Sequence, residues 1–161
     1  MANRFSDLSK NKIALIQSLL QKDEIVKCLV STDENFLSYD ISDFDRTSLV
    51  YKNIFPYAHS PNIEDKPKSM ICMSFDYRPY RNGQTFKIGS INYYVITHYS
   101  LMSTDEGLRT DYLIGEIDEE INLSRLVGIS KMLFDGMKDM QIDSKGNWIG
   151  TQIKYKSTEF N

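Results

Sequence analysis

The clearest patterning of apolar and polar positions lies within residues 70–123. Over residues 70–78, and again over residues 86–102, apolar side chains recur at every second position. A period of two is typical of a half-buried β-strand. Residues 78–83, between these runs, contain a proline and the pair Asn-Gly, which favour a turn. The pattern therefore predicts a long β-hairpin over residues 70–102.

The second run of this hairpin carries apolar side chains on both of its faces. Tyr94 and Ile96 lie on the face opposite to the main alternating set. A strand that is apolar on both sides is typical of a sheet covered on both sides. We therefore expect this strand to be covered on both sides for part of its length, and part of it to meet a neighbouring subunit.

A helical periodicity follows the hairpin, over residues 109–123. Its leucine and isoleucine side chains fall on one face, and Thr110 is placed to cap its start. The carboxylates of Glu116, Glu119 and Glu120 fall mostly on the other face. Carboxylates opposite an apolar stripe normally face solvent. We expect an amphipathic helix whose acids are exposed.

The N-terminal part of the chain, residues 6–29, is also predicted to be helical. Ser6 can cap its start, and an apolar stripe at helical spacing follows. The charged step at residues 21–24 leads either into a second short helix or into a kinked continuation. Further along, Ser42 and Asp45 resemble a capping box for a short helix that reaches Ile54.

Residues 53–67 carry three of the four prolines and are predicted to form an irregular arm. Ile54, Phe55 and Tyr57 make this arm more apolar than a solvated loop. We therefore expect part of it to pack, either on its own domain or on a neighbouring subunit.

The C-terminal part is predicted to form a second hairpin over residues 131–155. Its strands are predicted at residues 131–138 and 148–155, with turn residues between them. Residues 157–161 are predicted to be a polar tail that is ordered only in an assembly. The complete pattern predicts a single α+β domain over residues 1–161, in which the N-terminal helix and the amphipathic helix pack against an antiparallel sheet of two hairpins.

Composition adds limits on function. The chain has a net charge of −3, which gives no general attraction for nucleic acid. Its apolar segments are too short to span a bilayer, and its first residues lack the apolar core of a secretory signal. Cys28 and Cys72 lie in apolar patterns, so we expect two reduced core thiols.

Candidate catalytic chemistry is sparse. A metal-dependent hydrolase or nuclease could use the acids Asp33, Asp40, Asp43 and Asp45, or those of the amphipathic helix. The first group lacks the glycine and the spacing of an EF-hand. His59 and His98 lack the companions of a general base or metal ligand. We therefore predict no catalytic, metal-binding or cofactor-binding residue, and keep the hydrolase as an alternative.

A nucleic-acid-binding module is a further alternative. It would stack bases on exposed aromatic side chains that lie between basic ones. The candidate residues are Tyr93, Tyr94, Tyr99, Lys87, Arg78 and Arg81. Packing in a core or interface is the simpler interpretation of these tyrosines.

The segments IFPYAHSP, SMICMSFDYR, THYSLM and GLRTDYLIGEIDEEIN, with the final EFN, resemble the small neck proteins of tailed bacteriophages. The similarity is greatest to tail terminator and tail-completion proteins, which join head and tail. Residues 107–118 are the most distinctive part. The order of helix, long hairpin, helix and final strand pair is similar to the plan of that family over most of this chain.

This resemblance implies a structural virion protein that forms a ring, typically a hexamer, and caps the tail tube. The implied partners are other copies of the chain, the tail-tube protein and the head connector, with DNA passing through the lumen without specific binding. A head-closure or adaptor protein of the same neck is the alternative. The implied location is the virion, after assembly in the host cytoplasm. The residues predicted to form subunit or partner contacts are Ile54, Phe55, Tyr57, Tyr80, Phe86, Tyr94, Ile96 and His98.

Overall fold

Alternating apolar positions in two long strands form the centre of a five-stranded sheet. The computed structural model describes residues 7–79, 86–127 and 131–160. The helices are α1 Leu8–Gln21, α2 Asp23–Val30, α3 Asp43–Ser48 and α4 Arg109–Ile121. The strands are β1 Ile54–Phe55, β2 Ser69–Pro79, β3 Phe86–His98, β4 Ser103–Thr104, β5 Gly107–Leu108, β6 Leu133–Gln141 and β7 Trp148–Phe160.

The main sheet has the strand order β1-β2-β3-β7-β6. The predicted hairpins β2–β3 and β6–β7 are both antiparallel, and antiparallel pairing of β3 with β7 joins them. Strand β1 adds a short parallel pair beside β2, and β4 with β5 forms a separate small ladder. The predicted α+β class is therefore confirmed, with helices packed on an almost wholly antiparallel sheet.

The main core lies between the sheet and α1, α2 and α4. Alternate residues of β2, β3 and β7 point into it, as the period of two requires. The apolar stripe of α4 meets them through Leu113, Ile117 and Ile121, all fully buried. The sheet contributes Ile71, Met73, Ile91, Tyr93, Val95, Ile153 and Tyr155.

The opposite face of the sheet carries a smaller apolar cluster. It contains Phe55, Met70, Cys72, Ile96 and Trp148, with Tyr94 and Ile142 packed against them. The prediction that β3 is covered on both sides is therefore confirmed. Ile142 packs closely over Gly150 in this cluster, since a Cβ at Gly150 would lie 2.5 Å from Ile142 Cδ1.

The predicted N-terminal helical region consists of two helices. Lys22 has extended backbone angles (φ −86°, ψ 108°) and separates α1 from α2. The start of α1 is preceded by Asp7, whose side chain makes no capping hydrogen bond. Ser6, the predicted cap, lies outside the described residues.

The capping box of α3 is confirmed, since Ser42 and Asp45 bond each other's backbone N–H groups. The prediction that this helix reaches Ile54 is wrong. It ends at Ser48, and Ile54 pairs with Ile71 in the sheet. The chain turns between them at Tyr51, which has a left-handed φ of 61°.

Several boundaries of the later elements differ from prediction. Strand β3 ends at His98, because residues 99–101 form a 3₁₀ turn. Helix α4 ends at Ile121, and its cap is not Thr110, whose hydroxyl contacts Met102 Sδ at 3.6 Å. The prediction of a polar tail over residues 157–161 is wrong as far as residue 160. Strand β7 continues to Phe160, because the far end of β3 supplies its pairing partners.

Candidate assembly interface

A fully buried arginine fixes the start of α4. Arg109 Nε donates to the carbonyl of Leu101 at 2.8 Å. Its Nη1 donates to the carbonyls of Cys28 at 2.9 Å and Ser31 at 3.0 Å, and its Nη2 to that of Asp33 at 2.6 Å. The cation thereby joins three segments of backbone to α4.

The Arg109 guanidinium lies where its surroundings stabilise a positive charge. Cys28 and Ser31 lie at the C-terminal end of α2, where the helix dipole is negative. The Phe36 ring lies 5.0 Å from the guanidinium carbon, within the range of a cation–π contact. Arg109 belongs to the GLRTD segment, the most distinctive part of the resemblance. In this structure the residue positions α4 and is not available to a ligand.

The acids of α4 have structural partners. Lys22 Nζ lies 2.9 Å from Glu116 Oε2 and 2.7 Å from Glu119 Oε2, and Ser18 donates to Glu120. The hydrogen bond with Glu119, followed by that with Glu116, raises the pKa of Lys22 although burial opposes it. The expectation that these acids face solvent is therefore wrong for Glu116 and Glu120, which are half-buried against α1 and the α1–α2 junction.

The remaining candidate catalytic and metal-binding side chains among the described residues do not lie together. In the described ranges, no three His, Cys, Asp or Glu side chains are grouped so that they could hold a metal ion. The His59 ring stacks on Phe55 at 4.0 Å, and His98 Nδ1 lies 2.8 Å from Ser100 Oγ. The Asp45 carboxylate serves the capping box of α3.

Both cysteine side chains are buried. Burial raises the pKa of Cys28 to about 12 and that of Cys72 to about 11. Because the thiolate is the nucleophile, both groups are unreactive near neutral pH.

An apolar groove lies between α4 and the edge strand β6. Phe134 and Met137 project from β6 and remain 51% and 58% exposed. The groove has a volume of about 520 Å³ and is mostly apolar. Its described lining residues are Asp111, Ile114, Gly115, Asp118, Asn122, Phe134, Met137 and Ile153.

Strand β6 is also an end of the main sheet. It pairs with β7 on one side, and within the described residues no strand covers its other side. The Phe134 N–H donates to Asn122 Oδ1 at 3.3 Å, which satisfies one group of this edge. Exposed sheet edges with apolar side chains are common sites of association between chains.

A second exposed patch lies at the opposite end of the sheet, beside β1. Tyr51 and Tyr57 flank this strand and are 65% and 48% exposed. Their rings stack, with centroids 6.4 Å apart and an interplanar angle of 25°. Lys68 Nζ donates to the carbonyl of Lys52 at 3.1 Å, which places two basic residues in the patch.

The residues predicted to form contacts lie in different environments. Ile54, Phe55 and Ile96 are buried within the chain. Tyr57 is exposed, whereas Tyr94 and His98 are half-buried. Tyr80 and the side chain of Phe86 lie outside the described part. The predicted interface stays a prediction, and Tyr57 is the member with the most available surface among the described side chains.

Sequence reasoning missed the contribution of β6. The sequence predicts a strand over residues 131–138 but assigns none of its apolar residues to contacts. The structure places this strand at Leu133–Gln141 and leaves Phe134 and Met137 exposed. Their signal is weak, because charged and apolar residues alternate irregularly around a bulge between Phe134 and Gly136.

The aromatic residues of the nucleic-acid alternative do not form one exposed stacking surface. Tyr93 is fully buried, and the Tyr94 hydroxyl lies 3.1 Å from Ser74 Oγ. Tyr99 is exposed, and the Arg78 guanidinium pairs with Asp76 at 3.2 Å. Arg81 and the side chain of Lys87 lie outside the described part. Of the helices in the described ranges, none combines the length and apolar character needed to cross a bilayer.

The fold is similar to that of a chain in a solved structure titled "Virion of native gene transfer agent (GTA) particle". The TM-score is 0.54 at 11% sequence identity, and the match covers 93% of this chain and 94% of that chain. At this identity the likeness shows the fold. A comparison with curated proteins finds no match.

The sequence itself identifies the family. The family model for YomW matches residues 22–157. The match extends from the α1–α2 junction into β7, and therefore includes Arg109, α4 and both exposed surfaces. The chain belongs to the YomW family.

Proposed function

We propose that this chain is a structural protein of a phage virion, and that it acts as the tail terminator. In this role it caps the tail tube and joins it to the head connector as a ring, typically a hexamer. The fold shared with a chain of a virion particle is the observation that carries the proposal. Membership of the phage-associated YomW family supports the broader part of the proposal, a phage structural protein.

The surface of the chain suits a protein that acts by assembly. Apolar side chains are exposed at both ends of the main sheet, at Tyr51 and Tyr57 beside β1 and at Phe134 and Met137 on β6. A ring repeats one contact between two different surfaces until the rotation closes. Two surfaces on opposite sides of a protomer meet this requirement.

The proposed role needs no catalytic group. The acids of α4 that favoured a hydrolase pair with Lys22 and Ser18, and Asp45 caps α3. The proposed partners are other copies of the chain, the tail-tube protein and the head connector. DNA would pass the ring without specific binding, and the complex would form in the host cytoplasm before release in virions.

The test is a deletion of the gene in the phage that encodes it, with electron microscopy of the products. Loss of a terminator leaves free heads and tail tubes of abnormal length, because nothing stops tube growth. Loss of a head-closure or adaptor protein, the alternative role, leaves tails of normal length and heads that lose DNA. Normal virions from the deletion strain would contradict both roles.

A second measurement tests the location. Purified virions are probed with an antibody against the chain, and the purified protein is sedimented with isolated tail tubes. We expect labelling at the head–tail junction and co-sedimentation with the tubes. A chain absent from virions would contradict the proposed function.

A further inference from the structure

We infer that the groove between α4 and β6 of one copy binds the Tyr51–Tyr57 patch of the next copy. This inference rests on the proposed function only in assuming self-assembly, and it identifies the two surfaces that meet. The patch consists of Tyr51, Lys52, Tyr57 and Lys68, and the groove has the lining given above.

The two surfaces lie at opposite ends of one sheet. In the order β1-β2-β3-β7-β6, the patch flanks the first strand and the groove adjoins the last. A contact between unlike ends of a sheet can repeat from copy to copy in one direction. It therefore generates a ring or filament, whereas a groove-to-groove contact would stop at a dimer.

The side chains on the two surfaces are chemically complementary. Phe134, Met137 and Ile114 line the groove, and tyrosine rings are flat groups that can fill an apolar slot. The thioether of Met137 also forms favourable contacts with aromatic rings. The β1 end contributes side chains and not an open strand edge, because the Tyr51 N–H already donates to the carbonyl of Ile54 at 2.9 Å.

The charges favour a contact between the groove and the patch over a contact between two grooves. Asp111 and Asp118 lie at the groove, and none of its described lining residues is basic. Asp118 is held in place by the Tyr155 hydroxyl, which donates to it at 2.6 Å. The patch supplies Lys52 and Lys68, although the positive charge of Lys52 also helps to lower the pKa of Asp45. Two grooves placed together would bring acids against acids, which disfavours that contact.

The backbone at Tyr51 is an independent indication. A large side chain at a φ of 61° is uncommon, because the left-handed conformation brings Cβ close to the following carbonyl oxygen. Within the chain, this conformation leaves the ring 65% exposed. Strained backbone often occurs where a side chain is presented for function. A contact with the next copy would bury the ring that this strained turn presents.

Paired variants test the inference. Met137→Asp disables the groove and Tyr57→Asp disables the patch, while Ile13→Asp on α1 places the same charge at an exposed apolar site on neither surface. Each protein is examined alone and in mixtures by light scattering after size exclusion. Thermal melts verify that the variants fold like the wild type.

The inference predicts oligomers for the wild type and for Ile13→Asp, and monomers for each surface variant alone. The equimolar mixture of the two surface variants should give a heterodimer and nothing larger, because one intact groove and one intact patch remain. Folded Tyr57→Asp that still self-associates like the wild type overturns the inference, since association would then not need the patch. A wild-type chain that is monomeric at its solubility limit, or a mixture without heterodimer, also overturns it.

Chemical cross-linking gives a second measurement. Copies carrying Tyr57→Cys are mixed with copies carrying Met137→Cys and treated with a short bis-maleimide. The native thiols are buried and should not react. Cross-linked dimers should form in the mixture and not in either sample alone. Dimers of Met137→Cys alone would overturn the inference. These results do not depend on virion labelling, so failure of the proposed function remains distinguishable.

Discussion

A single side chain, Arg109, connects backbone groups that helix geometry leaves without partners. The last carbonyls of a helix lack intrahelical donors, and Arg109 donates to those of Cys28 and Ser31 at the end of α2. It also holds the loop that follows α2 and the turn before β4. From the sequence alone, an arginine in such a position is expected to be an exposed surface residue. Its structural role is visible only from the groups that surround it in the fold.

Replacing Arg109 should destabilise the fold strongly. Arg109→Met leaves four carbonyl acceptors without their donor, and a buried acceptor without a partner costs about 1–3 kcal/mol. We expect the free energy of unfolding to fall by about 3 kcal/mol or more in urea titrations. Arg125 is exposed and supplies the control. Arg125→Met should change the free energy of unfolding by less than about 0.5 kcal/mol. A loss for Arg109→Met as small as that of the control would contradict the structural role.

At the scale of elements, short helix α3 depends on its cap more than on its core contacts. None of its residues is buried, and Ser42 and Asp45 satisfy each other's N–H groups at its start. The backbone hydrogen bond from Ser42, followed by that from its side chain, lowers the pKa of Asp45. The sequence predicts this capping pair because Ser42 and Asp45 lie only three positions apart in the chain.

The cap should make stability depend on pH. Because the folded pKa of Asp45 is lowered, its contribution is present above the ordinary value of 3.8 and is lost as pH falls through the folded value. The stability difference between the wild type and Asp45→Asn should therefore shrink below pH 3.8. Ser42→Ala should lower the free energy of unfolding by about 1 kcal/mol at neutral pH. The control Ser60→Ala should leave it almost unchanged. Chemical denaturation at several pH values measures both effects, and a constant difference for Asp45→Asn would refute the assignment.

For the whole molecule, the last strand in sequence is an internal strand of the sheet. Strand β7 lies between β3 and β6 and contributes Ile153 and Tyr155 to the main core. The fold therefore cannot be completed until the C-terminal segment is present. Long-range pairing of this kind raises the contact order and slows folding.

Truncation tests this dependence. Removal of residues 148–161 deletes the partner of both β3 and β6, so we expect loss of cooperative thermal unfolding and of dispersed amide signals in NMR spectra. Removal of residues 158–161 shortens only the far end of β7 and should leave the chain folded. A cooperative transition in the longer truncation would show that the sheet does not require β7.

Local patterns were sufficient for the strands of both hairpins, for α4 and for the capping box. Each of these depends on contacts between near neighbours or on one repeating period, which the sequence displays directly. The choice between a kink and a new helix at Lys22 stayed open, since either agreed with the pattern. The predicted end of α3 is wrong, because the parallel pairing of Ile54 with Ile71 is not local.

Tertiary structure alone decided which surfaces are free. The sequence predicts the strand β6 but does not reveal that this strand ends the sheet, because its position depends on β7 pairing with the distant β3. Three further features are also absent from the sequence pattern. They are the burial of Ile54, Phe55 and Ile96, the carbonyl partners of Arg109, and the pairing of Glu116 with Lys22. These contacts form between segments far apart in the chain, so packing and not periodicity determines them. Packing also leaves the β6 groove and the Tyr51–Tyr57 patch exposed at opposite ends of the sheet.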